Sequence, residues 1–543
     1  MATTLFQNGT IVDGTGQPSF TGSVLVEDSL IKDVIKETTG LPQVDRVIDA
    51  RGLVVAPGFI DMHSHADWVI PWSGHDQVLK CLVEQGITTV IGGNCGISPA
   101  PMIKKAVAKT ETLASIVMAN ALKYQWESMN EYLDHVDQNG SIVNLAELVG
   151  HATLRYNTNQ SDRGDMRDSE LKQCLDNTRR ALDEGARGLS FGLGYDPGMY
   201  SSLEELAAFC KVAAAAGKPV TMHMKALSKL SPCYPLLSLS AHNVRALKEA
   251  ISLAEQTGIR LQLSHFIFVG RNSWPTADKC LALVDEARSR GLDIMIDAFP
   301  YSCGNTTIVA PIPYWFLEKI PEAYSRPFLI ARLKLELSLG LKLVGFSYPD
   351  FQVMDVAIPQ FKDINGLRIS EIAEKWNCSP FKAMLTLAEK SRGASLMLFH
   401  TYSGEPGNEA PLEKVLSKDY CLFETDSIVK SAGFPNPAAM GTFPRILGNY
   451  VRDRKLFSLE NAIHRMTGAS ADRFGIKNLG TLEKGRAADI VCFDADTIAD
   501  NWKDPSRPAG KPKGIKHVFL NGKHVVKEGN YAEGSKAGRV IRD

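Results

Sequence analysis

A chain of 543 residues, 44% hydrophobic and 22% charged, can bury a large core, which excludes the disordered class. Its 60 Lys+Arg nearly cancel 61 Asp+Glu, so no basic excess marks a nucleic-acid binder. No apolar run reaches the ~18 residues of a membrane span, and the start, MATTLFQNGTIVDG, lacks the basic and apolar stretches of a signal peptide. Ten scattered cysteines without a CxxC pair fit free thiols in a reducing compartment. The expectation is a cytoplasmic enzyme acting on a small molecule, with neither nucleic acid nor membrane as partner and the oligomeric state left open.

In chain order, LFQNGTIVDG, SVLVEDSLIKDVI and VIDARGLVVAPGF read as short strands, with turns at Asn8-Gly9 and Asp13-Gly14. The other end repeats this in GTLEKGRAADIVCFDAD and IKHVFLNGKHVVKEG, with a turn at Asn521-Gly522. Residues 1–56 and 475–543 therefore predict one small β domain built from both termini.

Between them, 57–474 alternates strands and helices. The apolar runs are VVAPGFIDMHSH, ITTVIGGNCG, NLAELVGHATLR, GLSFGLGY, PVTMHMK, IRLQLSHF, LDIMIDAFPY, LMLFH and YCLFETDS. Helical patterns fall near 76–86, 168–184, 203–216, 243–257 and 277–290. Apolar strands ending in His, Cys or Asp and separated by helices predict an α/β barrel with its site at the strand C-termini. Nine runs compete for eight places, and LDIMIDAFPY and LMLFH are alternatives for the seventh. Residues 302–390 break the rhythm and predict an insertion over the mouth, either a lid or subdomain or an extra packing layer.

The chemistry-bearing residues fall at the strand ends. His63 and His65 alternate and so face one side. Cys95 follows a glycine-rich bend, and a thiolate is a strong zinc ligand. His223 and His265 end the fifth and sixth strands, and Asp426 ends the last. Singly, each is as well explained by packing, hydrogen bonding or helix capping; jointly, they compose ligands for one or two zinc ions with an open position for water. Asp426 is then the general base and afterwards the general acid. His151 at the end of strand three is a candidate for the substrate or for structure, as are Tyr195 and His400. Ser264 and Asp67 are candidates to hold the ligating histidines.

PGFIDMHSHAD, with the late AADIVCFD and VFLNG, resembles the amidohydrolase superfamily. GGNCGISPAP, VGHATLR, GLSFGLGYDPGMYSSLEEL, the HMK and LSH strands, DAFPY, GTFPRILGNYVRD, MTGASADRFG and GTLEKGRAADIVCFD resemble the N-acyl-D-amino-acid deacylase (D-aminoacylase) family, from about residue 5 to 530 except 302–390. The resemblance implies a metal-dependent (β/α)8 TIM barrel with a small β-sandwich domain. It implies zinc on His63, His65, Cys95, His223, His265 and Asp426. Cys95 would bridge two metal positions where many relatives use a carboxylated lysine, and a single zinc can suffice.

Two departures bear on the substrate. The family often has a lysine two residues after the strand-six histidine, where this chain has Ile267. It often has an arginine three residues before GTFPR, where this chain has Ala438. Tyr301 is kept, with Phe299 where a tyrosine is common. Without those cations a buried carboxylate would stand unpaired, at a cost of several kcal/mol. The resemblance therefore implies hydrolysis of an amide C–N bond, on a neutral, amidated or aromatic amide. Lys225 or Lys229 is the alternative source of charge. A second expectation is a cyclic amide, of hydantoin or lactam type. A catalytically dead binding scaffold predicts lost ligands, and all six are present.

Overall fold

The computed structural model describes residues 2–37, 39–158, 164–235, 238, 240–504 and 507–542. Eight short strands run in parallel: β1 (Phe59–Asp61), β2 (Ile87–Gly92), β3 (Asn144–Glu147, resumed at Val149–Gly150), β4 (Leu189–Gly192), β5 (Val220–His223), β6 (Leu261–Leu263), β7 (Ile294–Ala298) and β8 (Cys421–Phe423). Each pairs with the next in chain order. The ring closes where the Asp426 amide donates to the His63 carbonyl at 3.0 Å and Ser64 bridges Ser427 in parallel.

Period-two alternation sorts the strand residues. Phe191, Met222, Leu263 and Ile296 face outward into the core shared with the surrounding helices. Ile60, Met62, Ile91, Ala146, Leu148 and Leu422 pack together with Ala471, Phe474 and Leu479. The helices predicted between strands are His75–Val83, Asp168–Asp183, Leu203–Ala215, His242–Thr257 and Ala277–Ser289. Their ends follow local chemistry. The Ser202 hydroxyl accepts from the Glu205 amide at the start of Leu203–Ala215, and Gly258 ends His242–Thr257 at φ 67°.

A nine-stranded sheet takes five strands from the N-terminal region and four from the C-terminal region. The halves join where Ile490–Phe493 pairs antiparallel with Val54–Pro57. Its core includes Phe6, Val24, Ile48, Ile490 and Phe519. Asn521-Gly522 is the expected hairpin turn, both residues at positive φ between Ile515–Leu520 and Lys523–Lys527. Asn8-Gly9 is not a turn between two strands. Thr3–Ile11 is one strand whose register shifts between Phe6 and Gly9, so the left-handed Asn8 (φ 63°) belongs to a bulge.

The seventh barrel strand comes from LDIMIDAFPY. The competing LMLFH is Leu396–His400, the central strand of a separate antiparallel sheet between Cys303–Thr307 and Phe351–Asp355. The segment that breaks the barrel rhythm therefore extends past residue 390. It has its own apolar core, in which Met397 and Phe399 pack with Phe316, Leu337, Phe351 and Ile372.

Candidate active site

The loop after β2 turns tightly enough to fold a thiol back over the barrel. Gly93, Cys95 and Gly96 all lie in the left-handed region, at φ 71°, 55° and 74°. A Cβ on Gly93 would stand 2.0 Å from the Leu148 carbonyl oxygen, and one on Gly96 would stand 2.5 Å from the Gly192 nitrogen, so only glycine fits either place. Ser190 on β4 staples the turn, accepting from the Gly96 amide at 3.0 Å and donating to the Gly93 carbonyl. Asp67 accepts from the Gly93 amide at 3.0 Å. His265 and Asp426 are also left-handed, at φ 32° and 41°. Non-glycine residues held there cost of order 1–3 kcal/mol each, and such strain clusters at functional sites.

The six predicted ligand residues converge. Cys95 Sγ lies 3.3 Å from His63 Nε2, 3.5 Å from His265 Nε2 and 3.8 Å from His223 Nδ1. His223 Nδ1 is 2.9 Å from His265 Nε2. Two donor groups result, His63–His65–Cys95 and Cys95–His223–His265, each with its ligand atoms within 4.8 Å of one another. They share Cys95. Asp426 Oδ1 stands 3.4 Å from His65 Nε2 and 3.8 Å from His63 Nε2. Its side chain keeps 20% exposure against 0% and 3% for those imidazoles, so it is the member of this trio that a substrate can reach.

The electrostatics fit a cation. Burial, and then the Asp426 charge, push the Cys95 thiol well above its ordinary range. Burial and then His63 push His265 down to about 4; burial and then His265 push His223 well down. A thiol and two imidazoles, each shifted away from carrying its own charge, thus meet in one space, a donor set that suits a shared metal ion. Burial acts to raise Asp426, but the His65 hydrogen bond and the neighbouring imidazoles hold its carboxyl well below the usual range, so it stays ionised.

Asp297 supports the cluster. It accepts from the His265 amide and from Gln262 Nε2, both at 2.7 Å, and faces His63 Nδ1 at 3.8 Å. Nothing in the spacing singled it out beyond its place in DAFPY. Glu424 went equally unremarked. It is fully buried, and burial, then the Asp426 and Asp297 charges, raise its pKa well above the ordinary value.

The candidate substrate residues divide. Tyr195 stands at the cluster, its hydroxyl donating to the Cys95 carbonyl at 2.6 Å and its ring 5.0 Å from that of His223. His151 does not face the mouth. Its ring packs on outward-facing Phe191 and on Phe209, with Nε2 2.8 Å from Glu205, which also binds Arg155. Lys225 is likewise turned away. Its ammonium donates to the Ser201 carbonyl at 3.3 Å, and the residue lines a small cavity with Leu206, Met222 and Ala250. His400 is buried, 3.0 Å from Gln352 in the insertion sheet. Ser264 is buried, with no partner for its hydroxyl among the described residues.

Ile267 and Ala438 are both buried and share one apolar cluster with Phe299, Tyr301 and Tyr402. Tyr301 donates to Asp500 at 2.9 Å and lies under the Arg445 guanidinium, whose centre is 4.8 Å from the ring. Arg445 is itself bound by Glu409 and Asp500. Tyr402, which no sequence motif marked, is close enough for the Asp426 charge to raise its pKa further, after burial.

Two sequence models of the amidohydrolase family match residues 46–303 and 383–525. The D-aminoacylase of Alcaligenes xylosoxydans xylosoxydans is 29% identical over 99% of this chain and 97% of its own length. The N-acyl-D-glutamate deacylase of Bordetella bronchiseptica, solved with zinc and a phosphonate inhibitor, superposes with a TM-score of 0.80 at 27% identity over 99% of both chains. The D-hydantoinase of a Thermus species, covering 99% of this chain and 98% of its own, is 16% identical with a TM-score of 0.55, and shares the fold alone. With a parallel barrel carrying His, Cys and Asp at its strand ends, and full-length likeness to deacylases, this chain belongs to the D-aminoacylase family of the amidohydrolase superfamily.

Proposed function

We propose that this protein hydrolyses linear N-acyl amides with zinc held by His63, His65, Cys95, His223, His265 and Asp426, and that its substrate presents a neutral or apolar group where relatives hold a free α-carboxylate. The observation that supports the zinc site most is the convergence of two imidazole pairs on one buried thiol. The solved deacylase binds zinc, and nitrogen and sulfur donors of this kind suit that ion.

A zinc ion supplies Lewis acidity, polarising a carbonyl and lowering the pKa of water to about 7. The chain's own residues do the rest. Asp426, ionised and partly exposed, takes a proton at a carboxylate oxygen and returns it to the leaving nitrogen. Tyr195 fixes the Cys95 backbone, and Asp297 fixes that of His265. We assign the substrate's amino-acid side to the apolar cluster of Ile267, Phe299, Tyr402 and Ala438, four side chains that carry no charge to hold a carboxylate. The same uncharged wall suits a cyclic amide, which is the second reading.

The test is a substrate panel on zinc-loaded protein: N-acetyl-D-amino acids, their amides and hydantoins. Turnover is expected to favour the amides over the free acids. Preference for the free acids overturns the neutral-pocket reading, and preference for the hydantoins selects the second.

A further inference from the structure

The helix Pro327–Val344 in the insertion buries Leu333, Leu337 and Leu341 on one side. Its other side is also apolar. Phe328 is 79% exposed, Leu335 72%, Leu339 56% and Leu343 50%. Among the described residues seven large apolar side chains are exposed, and these are four of them. Spacings of seven, four and four put them on one helical stripe about 22 Å long. Contiguous exposed apolar stripes on a folded protein mark a contact surface.

The charges around the stripe decide what it contacts. Lys334 and Lys342 have no ion pair among the described residues. The helix's sole acid, Glu336, is already held by Arg332 at 2.7 Å and by the Trp315 indole at 2.6 Å, with Arg332 stacked on that indole at 4.0 Å. The free charge beside the leucines is therefore positive. A second copy docked on the same face would bring two more such lysines and, from this helix, no unpaired carboxylate. Leucine and phenylalanine flanked by snorkelling lysines match a helix lying in an anionic lipid interface.

The helix is also fixed at the barrel rim. Asn272, in the segment that leaves β6 after His265, donates to the Lys342 and Leu343 carbonyls at 3.0 Å each, and Arg271 of the same segment pairs with Asp350 at 2.8 Å.

We propose that Phe328, Leu335, Leu339 and Leu343, with Lys334 and Lys342, dock this protein on an anionic lipid surface. The contact is interfacial, since no helix among the described residues is long and apolar enough to cross a membrane. That the docked mouth would then meet apolar amides dissolved in the lipid rests on the hydrolase reading above; the docking itself does not.

The test is co-sedimentation of the full zinc-loaded chain with phosphatidylglycerol/phosphatidylcholine vesicles and with phosphatidylcholine alone. Binding to the anionic vesicles is expected. It should fall more than about tenfold in Leu335→Glu/Leu339→Glu and about fivefold for each of Lys334→Glu and Lys342→Glu. Turnover of a water-soluble amide by these variants reports separately on folding and on the hydrolase reading. Wild-type protein that leaves the anionic vesicles unbound overturns the proposal. So does vesicle binding that the leucine variant retains, or a concentration-dependent dimer that it abolishes while vesicles go unbound.

Discussion

His223 Nδ1 and His265 Nε2 stand 2.9 Å apart, on neighbouring strands and beside the same thiol. Two neutral imidazoles at that distance satisfy each other only if one donates. Both are then poorly placed for any other partner, unless an ion draws both lone pairs.

Chelation should therefore abolish activity, and zinc should restore it. Cys95→Ala should weaken zinc binding by more than tenfold, since loss of groups merely supporting a ligand already costs about 10–100-fold. Zinc content by atomic emission, read beside turnover, checks this. Full occupancy with wild-type turnover would reduce Cys95 to a packing residue.

Asp426→Asn should retain zinc and fold, yet lose about 10²–10⁴ in kcat, the usual contribution of a positioned general base. The amide can occupy the same volume but takes no proton. An unchanged kcat at normal zinc content removes Asp426 from that role.

Ile267→Lys tests the uncharged wall. If the wall selects neutral substrates, the lysine should raise kcat/KM for free acids over their amides by about 10–100-fold, the worth of a charge-assisted hydrogen bond. It should also cost several kcal/mol of stability without substrate, because an unpaired ammonium replaces a buried apolar side chain. Steady-state kinetics on matched acid and amide pairs, with a urea melt, read both effects. An unmoved ratio would show that position 267 does not meet the substrate.

In zinc-free protein His75 and His400 should contribute a loss of stability as the pH falls below about 6.5, opposed by buried Asp61, Asp67 and Asp489, which burial raises to about 7, 7 and 6. Burial and then Arg368 push His400 down to about 3, and burial pushes His75 down to about 4. The unfolded chain, with histidines near 6.5, binds protons that the folded chain refuses, so the loss begins near 6.5 and continues towards 3. Above 6.5 neither histidine contributes a slope. Thermal melts from pH 7.5 to 4.5 should show this, with a shallower acid limb in His400→Asn. An identical limb would assign the acid sensitivity elsewhere.

The candidate ligand set was legible in the one-dimensional pattern because strand ends are local features. HxH, GGNCG, TMH, LSH and ETD each carry their polar residue directly after an apolar run. The helices between them were legible for the same reason, through periodicity and caps such as Ser202 and Gly258.

What the sequence determined by itself was therefore the barrel pattern and six candidate ligands at its strand ends, with Ile267 and Ala438 standing where the resembled family often has cations. Tertiary structure decided the rest, because those matters depend on which face a residue presents and on contacts far apart in the chain. LMLFH is as apolar as a barrel strand, yet its partners Cys303–Thr307 and Phe351–Asp355 take it into the insertion. His151 ends a strand like the candidate ligands do, but it opens the helix His151–Thr158 and its ring lies against outward-facing Phe191. Asp297, Glu424 and Tyr402 join the site only because β7, β8 and the insertion meet there. Burial of Ile267 and Ala438 in one apolar cluster is likewise a property of the assembled chain, since 171 residues separate them and only packing brings them to the same wall.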